Sequence, residues 1–298
     1  MKNYLIISFL FLSFILKSQI TPYNGLELYN LHMLNPAFNK TENKAQFDMI
    51  GYVRNTKLEY SQYGYVANSI LNLKGINSSI RASYSNSNHY YQDYQEISLG
   101  YAYRLDFSDK FKLHSGISIN SSTTIENNSS IALSKRYEDI NTYTHRNSNI
   151  EPGIALIISR LTLGATARIN LTDLKQWDYF SNYDTSLSKS GYSGSFLSAI
   201  YDFKPLGKFN IQLSFHKDIY HFQELLTDTY FSDDYLGLII NYNNLFGLGF
   251  TFGDEYAIIG DVRIDKKLIL RLNLYNNDGF VIDNTSGWNI MTQIIWYI

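Results

Sequence analysis

The sequence predicts an all-β fold: an antiparallel transmembrane outer-membrane β-barrel of about 14 strands with a short N-terminal plug or cap segment. Three observations carry this. Apolar and polar residues alternate with period two through most of the chain, so each segment has one greasy and one polar face. The segments run about 9 to 12 residues, the length needed to cross a bilayer at a tilt, where soluble strands average about five or six. The segments continue to the last residue, joined alternately by tight turns and longer polar connections. A soluble β-sandwich is the competing reading, since alternation alone does not say whether the apolar face meets a core or lipid.

The first element is MKNYLIISFLFLSFILKSQI. Lys2 begins a positive n-region, Leu5 to Leu16 is apolar except for two serines, and Ser18 suits position −1 of a cleavage site. About 12 residues are too few to span ~30 Å of hydrocarbon, so residues 1–18 read as a cleaved signal rather than an anchor. Residues 19–44 follow as a periplasmic or plug segment. Its centre, YNLHMLNPAF at residues 29–38, is too apolar at Tyr29, Leu31, Met33 and Leu34 for a free tether. Asn35-Pro36 ends a short helical turn there, because proline restricts the residue before it and cannot continue a helix. The segment is expected to dock in the lumen or over its periplasmic mouth, with a simple linker as the alternative.

Residues 45–298 form the barrel, with the first strand starting near Gln46. Ile97, Leu99, Tyr101, Tyr103, Leu105 and Phe107 oppose Glu96, Ser98, Gly100, Ala102, Arg104 and Asp106. Phe111, Leu113, Ile117 and Ile119 oppose Lys112, His114, Gly116, Ser118 and Asn120. Leu161, Leu163, Ala165, Ala167 and Ile169 oppose Thr162, Gly164, Thr166, Arg168 and Asn170; Phe209, Ile211, Leu213 and Phe215 oppose Asn210, Gln212, Ser214 and His216. Aromatic residues near the ends of the apolar rows fit interfacial girdles. In the final TQIIWYI, Ile294, Trp296 and Ile298 share one face, as a closing strand requires.

DFSDKF (106–111), ISRLT (158–162), NNLFG (243–247) and IDKKL (264–268) read as tight turns. Ser121–Asn149, Thr172–Ser190 and Lys217–Asp233 read as long polar loops. Trp177, Tyr179, Phe180 and Tyr183 set four aromatics on the second of these, which makes it a candidate partner loop. The alternative is that they fold over the barrel rim.

Charge excludes some functions. With 25 basic and 27 acidic residues and a net charge of -2, there is no footprint for nucleic acid. Cysteine is absent, so no disulfide framework or lipidated cysteine exists. The six histidines are scattered, no Gly-x-Ser-x-Gly elbow occurs, and no catalytic, metal or cofactor site is expected. His114 and His216 fall on lumenal rows, where a satisfied polar residue is the ordinary explanation. Arg81, Arg104, Arg168, Asp261 and Arg271 are candidate lumen charges. They either pair across strands or line a pore with an ion preference.

The stretch Asn35, Pro36, Ala37, Phe38, preceded by Tyr29 and Met33, resembles the N-proximal motif of the PorP/SprF family of the Bacteroidetes type IX secretion system. The closing strand SGWNIMTQIIWYI and the Gly-rich hairpins of residues 246–275 are similar too. The chain departs from the family at Asn39-Lys40, where Gly-Ser is usual, and keeps at most Arg54 of an Arg-Gln-Trp-like element. The resemblance implies a non-enzymatic barrel supporting gliding motility and protein secretion. Its implied partners are outer-membrane lipid, secreted cargo with a C-terminal sorting domain or adhesin, and other secretion components, including periplasmic ring or peptidoglycan-linked subunits. From the residues alone, a small porin or hydrophobic-ligand transporter is the alternative.

Overall fold

The structure is a computed structural model that describes residues 30–39, 43–55, 61–73, 75–89, 92–127, 142–171, 174–175, 189–190, 192–223, 228–253, 256–265, 267–276 and 289–298. The signal region, Tyr29 and the aromatics between 177 and 183 lie outside them. Among the described residues there are sixteen strands: β1 (Ala45–Asn55), β2 (Ser61–Leu73), β3 (Ser78–His89), β4 (Gln92–Ser108), β5 (Phe111–Asn127), β6 (Thr142–Ile158), β7 (Leu161–Asn170), β8 (Leu174–Lys175), β9 (Lys189–Ser190), β10 (Tyr192–Asp202), β11 (Phe209–Gln223), β12 (Asp228–Tyr242), β13 (Phe246–Gly253), β14 (Tyr256–Arg263), β15 (Leu268–Asn276) and β16 (Asn289–Tyr297). All but the β8–β9 pair join one closed antiparallel barrel, so the barrel has 14 strands.

Closure comes from the last segment. β16 pairs with β1 from Gln46↔Tyr297 to Val53↔Ile290, and Ala45 and Ile298 exchange both backbone hydrogen bonds beyond it, at 3.2 and 2.9 Å. No edge is left among the barrel strands, which is how a sheet satisfies its backbone in hydrocarbon. The alternation then fixes what faces lipid. Leu99 is 59% exposed and Ile119 55%, whereas their neighbours Ser98 and Asn120 are buried. Ile294, Trp296 and Ile298 point outward. The tight turns fall where the sequence places them. That between β12 and β13 sets Asn243 and Asn244 at φ 51° and 55°, a left-handed region that asparagine tolerates.

Two of the expected long loops are shorter than the alternation suggests. β5 and β6 stay paired as far as Asn127↔Thr142, so much of Ser121–Asn149 is strand. Likewise β11 and β12 pair to Gln223↔Asp228, within the Lys217–Asp233 stretch. The reason is physical. Past the apolar belt both strand faces are polar, as in Ser121, Ser122, Thr123 and Thr124, so the hydrophobic period vanishes while the backbone ladder continues. Of Thr172–Ser190, only the β8–β9 pairing is described.

The β6–β7 ladder is interrupted. Between β6 and β7 the pairing passes from Ile150↔Ile169 to Gly153↔Thr166, skipping Glu151 and Pro152. Proline has no N–H to contribute. The Thr166 hydroxyl donates to the Pro152 carbonyl at 2.7 Å, and Arg168 reaches Glu151 at 2.5 Å across the same seam.

The belt assignment makes a depth-dependent prediction. Ile117→Arg, midway along the outward row of β5, should cost about 2–4 kcal/mol, and Phe111→Arg, beside the turn, about 0–1. Urea unfolding in lipid vesicles measures both; equal costs would contradict a lipid-facing belt.

Candidate functional site: a plug inside the lumen

The interior is organised around residues 30–39. Leu31–Leu34 make one turn of α-helix, α1. Asn35 ends it in extended conformation (φ −140°, ψ 114°), as a residue before proline must. Pro36–Phe38 then form a 3₁₀ turn with proline at its first position, and Asn35 Oδ1 caps it by accepting from the Ala37 N–H at 2.9 Å. In an antiparallel barrel the tight turns and both strand termini, Ala45 and Tyr297, share one end, so this segment enters from the short-turn side.

It crosses the lumen and touches opposite walls. Asn30 and Gln293 on β16 exchange amide hydrogen bonds at 3.2 and 2.9 Å, and Arg271 on β15 donates to the same Gln293 oxygen at 2.6 Å. His32 Nε2 sits 3.3 Å from the buried carboxylate of Asp48 on β1, which also accepts from Asn68 and Gln46 at 2.9 Å each. Arg81 on β3 donates to the His32 carbonyl and to the Ser98 hydroxyl. Asn35 Nδ2 donates at 3.1 Å to both Ile154 O and Ala165 O, bridging β6 and β7 beside the interrupted ladder. Ser79 donates to the Asn39 carbonyl.

The NPAF stretch fits because the wall beneath it lacks side chains. A Cβ on Gly116 would lie 2.6 Å from Ala37 N; on Gly153, 2.9 Å from Pro36 Cδ; on Gly164, 2.8 Å from the Phe38 ring; on Gly100, 2.8 Å from Asn39 Nδ2. Real Cβ atoms essentially never approach so closely. Gly116 and Gly153 face each other in register, with the fully buried Ala102 and Ala155 flanking them. These residues make a smooth floor across β4–β7. The plug itself is closely packed: Asn30, Asn35, Ala37 and Asn39 are each at most 1% exposed.

The remaining lumen is two-sided. On β1, β2, β12 and β14–β16, Ile50, Val66, Ile239, Ala257, Ile259, Tyr275 and Met291 form a buried apolar cluster against which Met33 and Tyr52 pack. On β4–β7 the wall is polar, with Ser98, Ser118, Asn120, Asn149 and Glu151 buried. A uniformly polar lumen, expected from the alternating rows, is therefore only half correct. On β1, β12 and β14 the inward Ile50, Ile239, Ala257 and Ile259 adjoin apolar outward residues, and period-two reasoning cannot separate two greasy faces.

Of the residues singled out from sequence, Met33, Asn35, Pro36, Ala37 and Phe38 meet in the plug, and Arg81 holds it. Arg168 pairs with Glu151, and Arg271 approaches Asp261 at 3.9 Å. Arg104 stands nearer the turns, donating to Asn72 at 3.2 Å. His114 Nε2 lies 3.8 Å from Asp106. His216, expected to be satisfied, is 1% exposed and neither ring nitrogen has a hydrogen-bond partner among the described residues. Sequence reading missed Asp48, Gly153 and Asn39, whose roles depend on neighbours far along the chain. The lumenal placement of Gly100, Gly116 and Gly164 was the one available signal. Among the described residues no group of three His, Asp or Glu side chains could hold a metal.

The floor makes a direct prediction. Because the chain has no cysteine, Ala37→Cys introduces a single thiol. It should resist a membrane-permeant maleimide in the otherwise unchanged protein and react readily once Gly116→Val is added, while the heat-modifiable gel mobility of a folded barrel persists. Equal labelling in both proteins would show that the glycine floor does not seat the plug.

No protein-family model and no curated protein sequence matches the chain. Solved structures do. The chain is similar to the P. putida toluene transporter TodX, with a TM-score of 0.55 at 10% identity over 90% of this chain and 94% of that one. It is similar to a Pseudomonas aeruginosa FadL homologue, with 0.53 at 9% identity over 88% and 92%. The Acinetobacter baumannii outer membrane protein Omp33 gives 0.52 at 8% identity over 86% and 98%. At such identities the likeness establishes a shared fold: the chain has the architecture of an outer-membrane β-barrel.

Proposed function

We propose that this chain is a non-enzymatic barrel, exported by its N-terminal signal, that passes small apolar or amphipathic molecules across the outer membrane, with residues 30–39 as its internal closure. The observation that carries this is the apolar wall inside the barrel, from Ile50 and Val66 round to Ile259 and Met291, facing the plug through Met33. A diffusion pore for hydrophilic solutes has a polar, water-filled interior. An apolar lumenal wall beside a seated plug suits ligands that leave water readily. Similar structures described as a toluene transporter and a monoaromatic hydrocarbon channel favour the same reading.

The secretion-system reading is second, and the NPAF stretch alone favours it. That stretch contacts this chain's own glycines, so its packing role requires no external partner. Cargo, adhesin or periplasmic-ring contacts through Trp177, Tyr179, Phe180 and Tyr183 belong to this second reading.

Purified protein in liposomes and planar bilayers tests the two. The intact barrel should admit toluene to the vesicle interior while remaining closed to ions, and deleting residues 30–39 should produce stepwise ion conductance with the barrel still folded. Failure to accelerate toluene entry, together with co-purification of a secreted adhesin from cells, would replace the ligand reading by the secretion one.

A further inference from the structure

The rim of short turns carries a charge pattern that neither the plug nor the lumen uses. Seven barrel strands start at that end, and five of them, β1, β5, β7, β11 and β15, begin directly after a basic residue. These are Lys44, Lys110, Arg160, Lys208 and Lys267, and each carbonyl accepts a backbone N–H from the adjoining segment at 2.6 to 3.0 Å. The other two, β3 and β13, follow Asn77 and Leu245, whose carbonyls accept from the N–H groups of Arg104 and Arg263 at 2.9 and 2.8 Å. All seven rungs thus hold a basic residue at one level of the barrel. Adjacent strands lie about 4.8 Å apart, so a basic group recurs about every 10 Å, near the Debye length at physiological salt, and neighbouring fields overlap.

Composition does not explain this, because the whole chain holds more acidic than basic residues, 27 against 25. Nor do local ion pairs. Lys44, Lys110, Lys204, Lys208 and Lys267 are exposed, and among the described residues none of them forms a salt bridge. Two acidic neighbours are engaged elsewhere, Asp202 by the Gln212 amide at 2.8 Å and Asp265 by the Lys267 and Leu268 N–H groups at 2.6 and 2.8 Å. The same rim is also apolar. Ile76, Leu206, Leu245 and Ile264, all in the turns, are between 43% and 65% exposed, where a turn in water would carry polar residues. Beside them the ring pairs Phe107–Phe111, Tyr201–Phe203 and Phe209–Tyr242 have centroids 5.4, 5.0 and 5.1 Å apart. Cations set among exposed aliphatic and aromatic side chains fit the boundary between lipid headgroups and acyl chains. A hydrated polyanion would meet the charges and leave the aliphatics in water.

We propose that this rim binds the phosphate headgroups of anionic diacylphospholipids, of the phosphatidylglycerol type, in the leaflet that the short turns face. In a barrel of this kind that is the periplasmic leaflet. A zwitterionic headgroup brings its own ammonium, which the ring of lysines and arginines repels. The barrel therefore selects its boundary lipid at this end, whatever its lumen passes.

The test places the full protein in phosphatidylcholine vesicles with a trace of spin-labelled phosphatidylglycerol or spin-labelled phosphatidylcholine. Electron paramagnetic resonance then reads the share of each label immobilised at the barrel wall. Phosphatidylglycerol should associate about fivefold more strongly, and about 1 M salt should reduce the preference to below about twofold. The combined variant Lys110→Gln, Arg160→Gln, Lys204→Gln and Lys208→Gln should lose most of the preference at low salt. Arg146→Gln, exposed at the far end of β6, should leave it unchanged. Equal association of the two lipids with the unmodified protein overturns the proposal, and so does a preference that survives in the combined variant or in high salt. Capture of soluble peptidoglycan fragments by the unmodified protein but not by the variant, without any lipid preference, would assign the rim to the cell wall instead. If the combined variant fails to show heat-modifiable mobility, the lipid ratio and its salt dependence in the unmodified protein decide alone.

Discussion

Hydrocarbon offers no hydrogen bonds, and the architecture follows from that single constraint. Each barrel strand pairs on both sides, and the last strand returns to the first across eight register pairs. Closure also settles orientation. Once the ladder is continuous, the parity of each strand decides which side chains meet lipid and which enter the lumen, and a slip of one residue would exchange them all. The interruption at Glu151 and Pro152 lies next to the plug, where the Arg168–Glu151 pair and the Asn35 amide tie β6 to β7 from inside.

A closed cylinder leaves a cavity, and its contents must satisfy whatever polar groups the wall presents. The plug does this with asparagines rather than with bulk. Asn30 and Asn35 each match fixed acceptors or donors on the wall, and His32 meets a carboxylate already held by two amides. Such a buried polar network specifies one seat, since any displacement leaves several groups unpaired at once. Steric fit adds the complement. The glycine floor lets the backbone of Pro36–Ala37 approach the sheet more closely than any side chain would permit. The plug is held from both sides of the lumen: Gln293, Arg271, Asp48 and Asn68 anchor it on β16, β15, β1 and β2, Asn35 ties it to β6 and β7, and the apolar cluster is buried against Met33 and Tyr52.

Much of this was legible in the amino-acid sequence. Period two over strands such as 97–107 and 161–169, an aromatic-bearing last segment and tight turns such as 106–111 determined an all-β barrel of about 14 strands, because each depends only on neighbours along the chain. The break at Asn35-Pro36 was legible for the same reason, since proline's restriction on its predecessor is local. Strand ends above the belt were not, because Ser121–Asn127 are polar on both faces and carry no hydrophobic period. What only the tertiary structure decided is which residues meet across the lumen: Asp48 with His32, Gly153 with Pro36, and Gln293 with Asn30. These contacts join residues separated by up to 263 positions, and a periodic pattern carries no information about which strands close on which. Barrel closure alone brings them together.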